Sequence, residues 1–198
     1  MVRLVQRTFL STRENAPRQV VFCGVGRENG SSAVCANAGR TLAALSSRSV
    51  CLVDANLRSS QLLRLLESDN ALALNRKPAT ISEQCIAVSH NLWFAGTDLL
   101  ADEGGGLASM ARLREIFVEL RGMFEFVLLD APGADISADA AILDHVSDGT
   151  LLIIDAESTR RITARKAKES LEAADVRLLG AVLHNRTFPI PKSLYEKL

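Results

Sequence analysis

"VVFCGVGRENGSSAVCAN", residues 20–37, decides how the rest of the chain is read. Apolar residues run into Gly24 and Gly26, and a Ser-headed, Ala-rich segment follows. This is a buried strand, a glycine-bearing turn and a helix start, where backbone N–H groups and the helix dipole favour a phosphate. Two loop patterns compete for it. A dinucleotide loop, G-x-G-x-x-G, is met at Gly24 and Gly26, with Asp54 at a suitable distance beyond, but Asn29 stands where the third glycine belongs. A mononucleotide loop, G-x-x-x-x-G-K-S/T, takes Gly30 as its second glycine and Ser32 as its Mg2+-binding hydroxyl. Ser31 then occupies the lysine place, and the first-glycine place falls on Val25, one residue after Gly24. Each match alone is partial.

The remainder of the chain alternates short apolar runs with longer helical patterns. Strands are expected at 19–24, 49–55, 91–96, 124–131, 149–156 and 176–184, several of them near-continuous apolar runs suited to burial on both faces. Helical periodicity fills 31–47, 106–124 and 158–176; the second carries Leu107, Met110, Leu113, Phe117 and Leu120, with a glycine at its end. Such alternation specifies β-α-β units and a parallel sheet. A short helix is expected near 4–10, and the least regular segments are 68–82 and 97–106. The expected organisation is an N-terminal arm (1–18), one α/β domain (19–186) and a C-terminal tail (187–198).

In a parallel sheet, ligands collect at the carboxyl ends of the strands. Three of those ends carry an acid: Asp54 in "CLVDANLR", Asp130 in "FVLLDAPGAD" and Asp155 in "GTLLIIDA". A P-loop fold uses acids at two strand ends to hold Mg2+ and its waters beside the phosphates; a dinucleotide fold has no use for the second. Any one such aspartate is as well explained as a cap on the following turn. The set in order, with the Ser-rich helix start, favours the mononucleotide loop.

Bulk properties exclude several classes. The 198 residues suffice for one well-cored domain. Apolar residues make up 47% and aromatics 5%, which suits an aliphatic α/β core. With 23 basic against 23 acidic side chains, nothing draws the chain in bulk to nucleic acid or an anionic membrane. Cys23, Cys35, Cys51 and Cys85 form no C-x-x-C pair and are expected as reduced, mostly buried thiols. No apolar run approaches the about 18–20 residues of a membrane span, and the N-terminus lacks a signal peptide's pattern. A cytosolic protein is expected, recruited to the inner face of the cell membrane only through a partner.

With these residues in this order, the sequence resembles the bacterial tyrosine kinases (BY-kinases) of capsule and exopolysaccharide synthesis, relatives of the MinD/ParA class of P-loop ATPases. That family has a Walker A loop ending G-K-S/T, a Walker A′ strand ending D-x-D-x-R and a Walker B strand ending D-x-P. Here those places read Gly30-Ser31-Ser32, Asp54-Ala55-Asn56-Leu57-Arg58 and Asp130-Ala131-Pro132, and "VCAN", "DGTLLIIDAEST" and "LLGAVLHNR" are similar too. The resemblance covers roughly residues 19–186. It implies a P-loop NTPase-like three-layer α/β/α sandwich with a mostly parallel sheet. It implies ATP or ADP with Mg2+ as ligand, held by a loop of Gly26, Arg27, Glu28, Asn29, Gly30, Ser31 and Ser32, with Asn185 at the base. Ser32, Asp54 and Asp130 would hold the metal, and Asp54 and Arg58 take the catalytic places. Implied partners are a membrane polysaccharide co-polymerase or a kinase homologue, or further copies of the chain.

The departures fall on the chemistry. Ser31 is too short to reach between the β- and γ-phosphates and carries no charge. Losing one preorganised donor of this kind commonly costs ~3 kcal/mol in the transition state. Asn56 replaces the second aspartate of D-x-D, and an amide takes up no proton at neutral pH. Glu28 adds negative charge to the loop; Arg27 either turns inward to offset it or stays in solvent. Tyr195 is the chain's one tyrosine, where active autokinases of the family end in a tyrosine cluster. Arg3 and Arg7 are present near the N-terminus without the preceding glutamate of the family's assembly motif. The expectation is a degenerate kinase-like module with weakened nucleotide binding and weak or absent catalysis, acting as a binding or regulatory partner. The alternative is an active tyrosine kinase or ATPase in which another basic residue replaces the lysine.

Other features point less sharply. Arg160, Arg161, Arg165, Lys166 and Lys168 form a basic helix face, read as solvated and paired with later glutamates. Trp93 is expected in the core, and His90 and His145 have no metal-spaced partners. The tail "RTFPIPKSLYEKL" either packs on the domain or docks to another subunit.

Overall fold

Gln19–Gly24 forms β1, buried along its whole length, and lies near the middle of a seven-stranded sheet. The computed structural model describes residues 1–11, 16–26, 29–66 and 80–186. After β1 come β2 (Val50–Asp54), β3 (Cys85–Ser89), β4 (Leu92–Ala95), β5 (Phe126–Ala131), β6 (Thr150–Asp155) and β7 (Leu178–His184). Their order across the sheet is β3-β4-β2-β5-β1-β6-β7. All neighbours pair in parallel except β3, which runs antiparallel to β4 at one edge.

Burial explains the apolar runs. β1, β2 and β5 have no exposed residue because helices cover both sheet faces. On one face Val20, Phe22, Leu52 and Leu128 pack under α1 (Val2–Thr8), α2 (Ser31–Leu45) and α3 (Gln61–Leu66). On the other, Val21, Cys23, Val53 and Leu129 pack under α5 (Met110–Met123) and α6 (Asp139–Asp144). α7 (Arg161–Ala173) covers the end of that face through Ala167 and Leu171 against Leu152. The result is the three-layer α/β/α sandwich expected from the sequence. The N-terminal helix belongs to the core: Val5 and Phe9 are buried, and Phe9 meets Phe126 edge-on at 5.7 Å between ring centres.

The expected strands 19–24, 49–55, 91–96, 124–131, 149–156 and 176–184 correspond to β1, β2, β4, β5, β6 and β7. The sequence pattern missed β3, along with the one-turn helix α4 (Ile81–Gln84) before it. Segment 97–106 holds a 3-10 turn at Thr97–Leu99 and an isolated bridge between Ala101 and Leu107. The glycine expected to end the second long helix, Gly122, lies inside α5, whose last turn is closed by Phe124 N–H on Leu120 C=O. Trp93 is half-buried, packed against the buried cluster under α5 and leaning on Phe124. Cys23, Cys35 and Cys51 are buried and Cys85 half-buried, all reduced. Among the described residues no helix is long and apolar enough to cross a membrane.

Candidate functional site

β1 ends at Gly24, and the chain turns through Gly26 (φ 86°) and Gly30 (φ 73°) into α2. Both conformations favour glycine. Gly30 is constrained twice over, because a Cβ there would strike the His184 ring at the end of β7. α2 therefore starts at Ser31 with no side-chain cap from its N-cap residue and no acid in its first turn. That leaves a helix N-terminus of positive potential at the carboxyl edge of the sheet. Ser31 and Ser32 are buried at this point. Arg27 and Glu28 lie outside the described residues.

The two acids of the sequence motif meet here. β2 and β5 are neighbours, and Asp54 is register partner to Asp130. Both side chains are buried, and each leaves its Oδ2 without a hydrogen-bond partner among the described residues. The Ser31 hydroxyl donates to Asp130 Oδ1 at 3.4 Å, and the Asn56 N–H donates to Asp54 Oδ1 at 3.2 Å. Burial, with the Asp130 charge added, pushes the Asp54 carboxyl up to about 7 against the pull of the Asn56 N–H. Burial likewise raises Asp130 to about 6, against the hydroxyls of Ser32 and Ser31.

Two buried carboxylates with orphaned oxygens and serine hydroxyls beside them are an oxygen donor set that suits a hard divalent cation. Among the described residues no cluster of three or more His, Cys, Asp or Glu is placed to hold a metal alone. Mg2+ requires no such cage, because it keeps waters and takes phosphate oxygens as further ligands. Asp155, the third strand-end acid, differs. Its Oδ1 accepts N–H groups of Glu157 at 2.8 Å and Ser158 at 2.9 Å, and the Ser158 and Glu157 bonds hold its carboxyl below the usual range. It caps a turn.

A cavity of about 360 Å3 opens beside the loop. Gly26, Asn29, Ser31 and Ser32 line one side, Asn56, Arg58, Ser59 and Gln61 another, and Ala131, Pro132, Gly133 and Ile136 the third. Of the positions singled out in the sequence, Gly26, Asn29, Ser31, Ser32 and Arg58 thus share one cavity; Gly30, Asp54 and Asp130 do not line it, although Ser31, Asn56 and Ala131, close to them along the chain, do. Arg58 is exposed and makes no ion pair among the described residues, so its charge is available to that space. Asn185 stands apart. It follows β7 with φ 57° and donates to Glu157 Oε2 at 3.4 Å, beyond the cavity lining. Its neighbour His184 is the residue that touches the loop. Side chains alternate along a strand, so one step at its end decides which residue faces α2. Asp135 was also missed: its Oδ1 accepts the Gly26 N–H at 2.7 Å.

No family model matches the chain. It is 28% identical over 144 residues to the tyrosine-protein kinase YwqD of Bacillus subtilis, covering 70% of this chain and 60% of that one. It is 28% identical over 78 residues to the tyrosine-protein kinase CpsD of Streptococcus agalactiae serotype III, covering 39% and 34%. The chain therefore spans less than two thirds of these relatives. The kinase domain of the Escherichia coli tyrosine kinase ETK superposes with a TM-score of 0.69 at 19% identity, over 96% of this chain and 78% of that one. MinD of Pyrococcus horikoshii, solved with Mg-ADP, gives 0.66 at 21% identity, over 91% and 76%. The sequence homologues are bacterial tyrosine-protein kinases, and the fold is the P-loop NTPase-like fold of their kinase domains and of MinD.

Proposed function

We propose that this chain is a nucleotide-binding, kinase-like module of capsule or exopolysaccharide synthesis that has little or no phosphoryl transfer of its own. One observation carries the binding half: two buried, register-paired carboxylates with orphaned oxygens stand near the N-terminus of α2, whose N-cap residue Gly30 supplies no side-chain cap, and near a cavity of about 360 Å3. Mg2+ bound there would satisfy Asp54 and Asp130, and the phosphates would meet the N–H groups at the start of α2. The catalytic half is weakened by two side chains. Ser31 turns its hydroxyl onto Asp130 and offers the phosphates no cation. Asn56 spends its amide oxygen on the Arg58 N–H at 3.3 Å and takes up no proton.

Such a module acts by binding. Its partner would be a membrane co-polymerase, an active kinase homologue or another copy of itself; the likeness to the tyrosine-protein kinases YwqD and CpsD supports the second. Incubation of the purified chain with Mg·ATP labelled in its γ-phosphate, alone and with an active homologue, tests this. No label should pass to the chain itself or from it to a substrate peptide. Sustained transfer that depends on Asp54 and Asp130 would overturn it.

A second reading has one observation in its favour. Arg58 lines the cavity and is exposed, a cation within the same space as the missing lysine. An enzyme that used it would lose turnover in Arg58→Gln while keeping Mg·ADP affinity, and a chain without turnover gives no such split.

A further inference from the structure

Two N–H groups beside the cavity, those of Gly26 and Ser31, already have side-chain acceptors. The Asn29 side chain is folded back into the loop and is 7% exposed. Its Oδ1 accepts the N–H of Ser31 at 2.9 Å, and its Nδ2 donates to the carbonyl of Gly26. The amide group lies where a Cβ of residue 24 would be, so it fits only because that residue is Gly24. A second occupant comes from the segment between β5 and α6, where Asp135 Oδ1 accepts the Gly26 N–H at 2.7 Å. That segment is seated against Cys23, Gly24 and Gly26. Ala134 N–H donates to Gly24 C=O at 3.0 Å, and Cys23 Sγ approaches Pro132 C=O at 3.4 Å. A Cβ on Gly133 would come within 3.0 Å of Gly26 O, so the glycine permits the close approach.

An amide oxygen and a carboxylate oxygen ask of a backbone N–H what a phosphate oxygen asks, and one donor satisfies one of them well at a time. We propose that the N–H groups of Gly26 and Ser31 are closed to ligands by Asp135 and Asn29, internal acceptors that an incoming polyphosphate must displace. This rests on the reading of Gly24, Gly26 and the start of α2 at Gly30–Ser32 as parts of a phosphate cradle. It adds a regulatory element: ligand affinity is set by an internal competitor as well as by the missing lysine. Asp135 adds like-charge repulsion toward any anion that approaches Gly26.

Calorimetric titration of the full chain with inorganic pyrophosphate, without metal, reads the loop directly. Asn29→Gly and Asp135→Ala each remove one internal acceptor, and each should tighten pyrophosphate binding by about five- to tenfold, the worth of one competing hydrogen bond. Asn29→Asp keeps the size, adds a charge and should weaken it. Unchanged or weaker binding in both Asn29→Gly and Asp135→Ala overturns the proposal, because the two side chains then shape the cradle instead of blocking it. If Asn29→Gly fails to fold, by circular dichroism, Asp135→Ala decides alone. A parallel titration with Mg·ADP separates this from the function proposed above. If the unmodified chain binds Mg·ADP and neither variant binds pyrophosphate tighter, closure is lost and the nucleotide reading stands. If the unmodified chain binds neither ligand while a variant binds pyrophosphate, the nucleotide reading is lost and closure stands.

Discussion

The two ends of the sheet treat buried charge in opposite ways. At the amino ends of the strands, Asp148 is fully engaged. Its Oδ2 accepts the N–H groups of Arg18 at 2.7 Å and Gln19 at 2.8 Å, and its Oδ1 accepts from Arg121 at 2.7 Å. Arg121 also donates to Gln19 Oε1, whose Nε2 in turn donates to Phe117 C=O. Burial works against ionisation of Asp148, yet the bonds from Arg121, Gln19 and Arg18 hold its carboxyl below the usual range. At the carboxyl ends, Asp54 and Asp130 face one another with an orphaned oxygen each and are pushed up to about 7 and about 6. One end is finished by the chain itself; the other keeps two buried acceptor oxygens without partners among the described residues, as the proposed nucleotide site would.

Breaking the finished end should cost the most. Asp148→Ala leaves the N–H groups of Arg18 and Gln19 unpaired and takes from the Arg121 guanidinium its carboxylate, leaving it Gln19 Oε1, a loss of about 2–3 kcal/mol given that the carboxylate is a quarter exposed. Denaturant melts would show it, with Mg·ADP affinity unchanged; a loss of affinity of the same size would mean that the two ends are not separate. The carboxyl end should respond with the opposite sign. Asp54→Asn or Asp130→Asn should stabilise the ligand-free chain at pH 7.5 by about 1–2 kcal/mol, because a like-charged, desolvated pair is removed. The same variants should abolish stabilisation by Mg·ADP.

The pH dependence follows from the same pair. Both carboxyls hold their proton more tightly folded than unfolded, where the ordinary value is 3.8. Their contribution to stability is therefore fully present below that value and is lost as pH rises through about 6 and about 7. Melting temperature of the ligand-free chain should fall across that window, and Asp54→Asn should flatten the fall. A rise in stability over the same window, unchanged in that variant, would remove the carboxylate pair from the explanation. An effect no larger than that of the carboxylate variants belongs to Gly30→Ala. A left-handed φ of 73° and the His184 ring together should cost about 1–2 kcal/mol, and His184→Ala should recover the part due to the ring.

The fold was legible because its strands are buried on both faces and therefore read as apolar runs. β3 was not, because an antiparallel edge strand with half-exposed residues carries neither a continuous run nor clean alternation. The paired acids were legible in "CLVDANLR" and "FVLLDAPGAD" as strand-end acids, since parallel register brings such ends together. Strand-end position alone does not separate them from Asp155, which only the resemblance left out of the metal set; its turn-capping role depends on where two N–H groups point. Asn29 was expected among ligand-binding residues on loop position alone; its inward fold depends on the space left by Gly24. Asp135 and His184 were invisible for the same reason. Each reaches the loop from another strand end, 109 residues away in the case of Asp135 and Gly26.

The most direct test of an unfinished carboxyl end is a calorimetric titration of the unmodified chain and Asp130→Asn with Mg·ADP at pH 7.5. The unmodified chain should bind one equivalent, with Mg2+ required, and Asp130→Asn should lose that binding while remaining folded. No binding to the unmodified chain, or equal affinity in both, would contradict the assignment of Asp54 and Asp130 as the cation-holding pair of a nucleotide site.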